Sequence, residues 1–408
     1  MFKKIASNTF AQLTAKFFGA GLTLITTYYT IRLAGLDLYG DLTKILVLVA
    51  VGFTAIDFGL NAEGIRSSES EANMRQSTQN IMLTRSLLSF LAVLFLNLVI
   101  FSLSGNYSSQ VKSIFWLGSL SIIFQGIYTS GNAWFQYKLA YWRPTFSAVV
   151  GSLVGTIFTL YFLRSSPTLS NLIFANTLGY LSMAICTLLF LPPEIFKIFA
   201  RLKPQLSLIA GLLHRSLILG LILTFSVIAS KIDTIILGIF RTSGEVGEYG
   251  FAYRIFDVIL VLPVFVMNII YPLSIQENRL NSKLKLIKNT TNTLAVIGIF
   301  TAILLWIFAP SINFVKPGLT IAISVLKILA YSLPLFYVTA PLMWSLIAQK
   351  RDLVVLFIYV VAALLNFVLN MFLIPTYGAI SSAWNTGITE LFIYLVLLYF
   401  SKTIPITK

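Results

Sequence analysis

The chain has 408 residues, 57% of them hydrophobic and 11% charged, with a formal net charge of +15 and a mean hydropathy of +0.88. Soluble domains carry roughly 25% charged residues, so the composition excludes a soluble globule of this length. The single cysteine, Cys186, excludes an intrachain disulfide and a thiolate metal cluster.

Apolar runs of about 20 residues, the length that crosses a bilayer as a helix, follow one another along the whole chain. The first six occupy residues 8–33, 41–60, 80–103, 111–136, 144–163 and 170–191. Lys3 and Lys4 precede a long first run that leads straight into further spans, so no cleavable signal peptide is expected. Asn8, Gln12 and Lys16 recur at helical spacing on one face of that run, which is expected to look into a cavity. Lys44 lies in the second run. Asp57 and Arg85 lie close to cytoplasmic ends, where a long side chain can snorkel to water, and both read as structural. In the fourth run, Gln125, Asn132 and Gln136 either line a sugar path or bond across helices.

A basic connection at about 192–215 divides the chain into an N-lobe, residues 1–200, and a C-lobe, residues 201–408. The second six runs occupy 216–239, 250–276, 290–310, 318–347, 353–374 and 378–400. The seventh contains "SKIDTIILG", where Lys231 and Asp233 stand two apart and point in different directions on a helix. In the eighth, Arg254 and Asp257 stand three apart and share a face. Lys327 belongs to the tenth run, in which Pro334 and Pro341 predict a kink, and Glu390 belongs to the twelfth. Stretches such as "SLSGNYSS", "RSSPTLSN" and "RTSGEVGEYG" supply the turns. A barrel would show short alternating segments instead.

With the N-terminus inside, the cytoplasmic connections collect eighteen Lys and Arg residues, against four (Arg32, Arg164, Arg241 and Lys316) on the opposite side. The positive-inside rule then places both termini in the cytoplasm of a plasma (inner) membrane protein. The basic excess follows topology and attraction to membrane lipids, so nucleic acid is not an expected partner.

The two halves resemble each other. Aligning Tyr39-Gly40 with Tyr249-Gly250 puts Lys44 over Arg254, and "PTLSNLIFANT" (167–177) aligns with "PTYGAISSAWNT" (375–386) at nearly the same offset. The expected fold is all-α: about twelve transmembrane helices in two pseudo-symmetric six-helix bundles around a central cavity. An even number of spans per copy makes the repeat parallel, about an axis along the membrane normal.

Ionisable groups inside a bilayer are costly, at roughly 2.5–3.5 kcal/mol each near a helix centre. Lys44, Lys231, Arg254 and Lys327 fall in the outer half of the membrane and Lys16 in the inner half, a cationic set suited to an anionic substrate. A second reading is ion pairing, Lys231 with Asp257 or Lys327 with Glu390. The acids Asp57, Asp233, Asp257 and Glu390 either serve such pairs or carry a coupling ion. No GxxxxGK[ST], no HExxH and no large loop with paired acids is present, so no enzyme, no cofactor and no metal site is expected.

The opening "NTFAQLTAKFFGAGLTLITTYYTIRLAGLDLYGDL", the central "SKIDTIILGIFRTSGEVGEYGFAYRIFDVILVLPVFVMNIIYPLSIQ" and the late "IPTYGAISSAWNTGITE" resemble the Wzx-type oligosaccharide flippases. These are polysaccharide biosynthesis proteins of the multidrug/oligosaccharidyl-lipid/polysaccharide exporter superfamily. The resemblance implies a membrane flippase that moves a polyprenyl-diphosphate-linked oligosaccharide, as in O-antigen synthesis, to the outer leaflet by alternating access. It further implies partners in a polysaccharide polymerase and chain-length machinery. Lys44, Arg254 and Lys231 take the role of the diphosphate-binding cations, and helix position adds Lys16 and Lys327. Twelve spans disfavour the lipid II flippase branch, in which fourteen occur. A cation-coupled drug or metabolite antiporter and a non-transporting scaffold for glycan enzymes are the alternatives.

Overall fold

The computed structural model describes residues 2–68, 70–195, 206–276 and 280–403, with side chains described for 16–68, 70–195, 209–267, 270 and 285–401. Helices follow the apolar runs: α1 (Phe2–Asp57), the short α2 (Leu60–Arg66), α3 (Glu71–Ser102), α4 (Ser109–Tyr137), α5 (Trp142–Ser165) and α6 (Leu169–Phe190). They continue with α7 (Leu206–Phe240), α8 (Ser243–Gln276), α9 (Leu280–Phe308), a 3₁₀ turn (Ala309–Phe314), α10 (Thr320–Ala348), α11 (Asp352–Tyr377) and α12 (Ala379–Thr403). No strand occurs among the described residues.

Helix α1 has 56 residues, about 84 Å at 1.5 Å per residue, whereas the hydrocarbon core is about 30 Å thick. It therefore supplies two crossings, and Gly35 divides them. Its backbone sits at φ 88°, ψ 171°, outside the helical region, where a residue without Cβ is favoured. With this break, the eleven helices that are long and apolar enough to cross a membrane among the described residues match the twelve expected spans. The protein is an all-α, multi-pass membrane protein. The tenth run forms one helix through Pro334 and Pro341, and the Ser332 and Thr339 hydroxyls donate to the Leu329 and Phe336 carbonyls alongside those prolines.

The chain divides into two compact units, residues 1–224 and 225–408. In the first, α4 packs on α3, α6 and α1, and α5 pairs with α6. That last pair approaches at backbone contact: a Cβ on Gly151 would lie 2.7 Å from the Gly179 carbonyl oxygen. In the second, α10 packs on α9, α12 and α8, and α11 pairs with α12. The same pattern of partners recurs in both, and so does a brace at the end of each unit. Arg143 Nη1 donates to the Phe190 carbonyl at the end of α6 (3.3 Å), and Arg351 Nη1 donates to the Phe400 carbonyl in α12 (3.3 Å).

The division at Thr224 falls inside α7. The N-terminal half of that helix belongs to the first unit because Gly220 admits the Phe58 ring, Leu219 packs on Gly59, and Arg215 Nε reaches Glu63 Oε1 at 3.3 Å.

Candidate functional site

In the second unit, α7 and α8 bring two of the expected residues together. Lys231 Nζ lies 3.1 Å from Asp257 Oδ2, with the two side chains 22% and 41% exposed, and sits 4.9 Å from the centre of the Tyr253 ring. Arg254 is half-buried, next to Tyr253 and one turn before Asp257. Of the two pairings weighed from the sequence, Lys231 with Asp257 forms. Lys327 does not reach Glu390: its ammonium lies 4.7 Å from the centre of the Trp306 ring, between α9 and α10. Asp233 is fully enclosed, accepting from the Tyr249 hydroxyl and, at 2.6 Å, from the Thr234 backbone N–H. The lysine of "SKIDTIILG" thus has a carboxylate partner and an aromatic face, and the aspartate is solvated by hydroxyl and amide donors.

In the same unit, α7, α8, α10, α11 and α12 line a partly open cavity of about 250 Å³. Glu390, 6% exposed, lines it and accepts from the Thr339 hydroxyl. Asn366 Nδ2 donates to Thr389 Oγ1 at 3.2 Å, and the Tyr253 and Thr386 hydroxyls are 3.4 Å apart. Asn366 belongs to a ladder in which Asn370 Nδ2 donates to Asn366 Oδ1 (2.6 Å) and Asn385 Nδ2 to Asn370 Oδ1 (3.0 Å). Phe336, Trp344 and Tyr359 supply aromatic walls. Sequence reading singled out Glu390 but missed this cavity, because its walls come from positions up to 167 residues apart, Ser226 to Ile393.

In the first unit, Lys44 is fully enclosed rather than facing a cavity. Its Nζ reaches Asp41 Oδ1 at 3.0 Å and the Asn106 carbonyl at 2.8 Å, and it lies 5.6 Å from the centre of the Tyr107 ring. Burial pushes the Tyr107 phenol up, so the ring meets the ammonium as a neutral π-face. Arg85 does not snorkel either. It is 0% exposed, and its five N–H donors meet the Ile56 carbonyl, the Asp57 carbonyl and Oδ1, Asn61 Oδ1 and Ser130 Oγ at 3.0–3.2 Å. Lys16 is exposed on α1, and the Asn8 and Gln12 side chains lie outside the described residues. Among the described residues no His, Cys, Asp and Glu cluster suits a metal ion.

A family model described as polysaccharide biosynthesis protein matches residues 5–274. The chain belongs to that family. No curated protein matches this polysaccharide biosynthesis protein, but solved structures do. One titled lipid II flippase MurJ, in an inward closed conformation, aligns with a TM-score of 0.78 at 17% identity over 97% of this chain and 88% of that one. An inward-facing multidrug resistance MATE family transporter of the MOP superfamily aligns at 0.73 and 12% identity, over 97% and 100%. The MATE multidrug transporter DinF-BH aligns at 0.71 and 14% identity, over 98% and 94%. The fold is shared with the lipid II flippase and with the multidrug transporters alike. Identities this low establish the fold and leave the cargo to the site.

Proposed function

We propose that this protein moves a polyprenyl-diphosphate-linked oligosaccharide from the cytoplasmic to the outer leaflet by alternating access, for cell-surface polysaccharide synthesis. Both termini face the cytoplasm in this reading, and the membrane is the plasma (inner) membrane. The observation that carries it is the part-buried Lys231 of α7, paired with Asp257 one turn on from the half-buried Arg254 of α8, inside the stretch matched by the polysaccharide biosynthesis family. A diphosphate needs its charge neutralised as it leaves water. Arg254 offers a bidentate fork for phosphate oxygens and Lys231 a point charge. Asp257 holds Lys231 in place between transport events and releases it to the incoming diphosphate. Lys44, held by Asp41 and the Asn106 carbonyl, has a structural part.

The test is the lipid-linked oligosaccharide profile of a deletion strain. Undecorated cells should accumulate the glycan on its lipid carrier at the cytoplasmic face, and the wild-type gene should clear it. Arg254→Ala should fail to clear it even when combined with Asp257→Asn, at normal protein level in the membrane. Arg254→Lys should retain part of the activity, since the charge survives and the fork does not. A double neutral variant that exports glycan at the parental rate would refute diphosphate binding by Arg254. A second reading, a cation-coupled drug antiporter, draws on Glu390 and the likeness to multidrug transporters. It requires the deletion strain to become drug-sensitive while its glycan profile stays normal.

A further inference from the structure

We propose that the partly open cavity lined by α7, α8, α10, α11 and α12 is a binding subsite for one neutral pyranose ring of the glycan, an assignment that rests on the flippase reading. Size comes first. At about 250 Å³ the cavity falls just below the roughly 300–1,000 Å³ of pockets that hold drug-sized ligands, which suits a ligand of a single ring. Its chemistry narrows the class. A permanent cation is disfavoured because the Lys231 ammonium already rests on the ring of Tyr253, which forms part of the wall. An anion is disfavoured because the acidic group in the lining is Glu390, a carboxyl with no described basic partner.

A neutral ligand rich in hydroxyls meets neither objection. Each sugar hydroxyl both donates and accepts, and so do the Thr389 and Thr386 hydroxyls that line the cavity beside the Asn366 amide. Glu390 takes one described hydrogen bond, from Thr339, and a carboxyl has capacity for more. Trp344, Tyr359 and Phe336 bring aromatic rings to the lining, the flat apolar surfaces on which the C–H face of a pyranose can lie. A proton-carrying carboxyl alone would need neither this volume nor aromatic walls.

The test uses the full-length protein purified into lipid nanodiscs and equilibrium binding of tritiated glucose, galactose, N-acetylglucosamine and fucose, with tetramethylammonium as the cation probe. At least one of the four sugars should bind saturably. Trp344→Ala and Glu390→Gln should each weaken it at least about tenfold, the loss of one good contact of about 1.4 kcal/mol. Trp344→Phe, which keeps an aromatic face, should stay within about threefold, and Tyr331→Ala, on an exposed face, should leave binding unchanged. Elution of each variant as the parental monodisperse peak separates a binding defect from misfolding.

Absence of saturable binding by all four sugars overturns the subsite. So does sugar binding indifferent to both Trp344→Ala and Glu390→Gln, or tetramethylammonium binding that Glu390→Gln abolishes. Because binding is read without transport, the two readings fail separately. Sugar binding with a normal glycan profile in the deletion strain removes the flippase reading alone. Clearance of the glycan by a protein that binds no sugar removes the subsite alone.

Discussion

Arg85 illustrates what a charge requires when it is cut off from water. A guanidinium carries five N–H donors, and each left unmet in an apolar interior costs free energy on the scale of a lost hydrogen bond. Here the first unit supplies carbonyls at the end of α1, a carboxylate from Asp57, an amide oxygen from Asn61 and a hydroxyl from Ser130, so α1, α2, α3 and α4 are tied at one point. Replacing Arg85 by Ala would strand these acceptors and leave Asp57 without its partner. Asp57 is 43% exposed and returns to water, so the cost lies in the stranded buried acceptors, about 1–3 kcal/mol, and the variant should aggregate or lose its monodisperse peak in detergent at a temperature the parent withstands. Arg85→Lys should rescue little, because one ammonium cannot face five acceptors spread over several helices. A variant Arg85→Ala that melts with the parent would show that these bonds contribute nothing net. The sequence displays Arg85 as an ionisable residue inside an apolar run. Its enclosure was not legible there, because the partners lie 24 to 45 residues away and their meeting depends on how the helices pack. The same holds for Lys44, whose ammonium meets a loop carbonyl 62 residues on.

Helix ends carry a second kind of obligation, since the first N–H groups of every helix lack intrahelical acceptors. In the first unit, local side chains meet it: Ser70, Ser108 and Thr168 accept from the N–H of the third residue on, at 3.2–3.3 Å, at the starts of α3, α4 and α6. These caps are readable in the sequence as Ser or Thr just ahead of an apolar run. The second unit has a local cap too, Thr242 Oγ1 accepting from the Glu245 N–H at 3.3 Å, and adds long-range ones. Glu245 Oε1 accepts from the Ala379 N–H at the first residue of α12 (2.7 Å), and Glu248 Oε2 accepts from the Ala322 N–H in the first turn of α10 (2.9 Å). The "GEVGEYG" stretch that opens α8 therefore holds the starts of two other helices, placing negative charge at their positive ends. Its place at a turn was legible; the groups its carboxylates cap were not, because those donors lie 74 and 134 residues downstream. Removing a cap costs about 0.5–2 kcal/mol. Glu245→Ala should speed amide exchange in the first turn of α12, and Glu248→Ala in that of α10. Each change should leave the other helix as in the parent, and Glu→Gln, which keeps an acceptor oxygen, should recover most of the protection. Equal exchange in parent and both Ala variants would mean that water caps these helices as well as the carboxylates do.

At the scale of the whole molecule, span number and order were legible because hydropathy alternates on the length scale of the bilayer. The place where the chain changes unit was not, since the tie between α7 and the first unit depends on Phe58 meeting Gly220. The number of crossings sets the sidedness of the whole chain, and it hinges on α1. Counted as one crossing, α1 leaves eleven spans and puts the termini on opposite sides; counted as two, it leaves twelve and puts them together. The break at Gly35 and the 56-residue length favour two. The eighteen basic residues on one set of connections against four on the other favour the same answer, because a single crossing would part Lys3 and Lys4 from the later basic clusters. Reporters fused ahead of Met1 and after Lys408 should both read cytoplasmic, while one inserted after Lys316, in the connection between α9 and α10, should read the outer side. Leucine at Gly35 would have to adopt a φ near 88°, which L side chains rarely do. Gly35→Leu should therefore lower the amount of inserted protein without inverting the reporters, since the basic connections and not this turn set the orientation. Termini reporting opposite sides would overturn the two-crossing reading of α1, and inverted reporters in Gly35→Leu would show that the turn, and not the charge asymmetry, directs insertion.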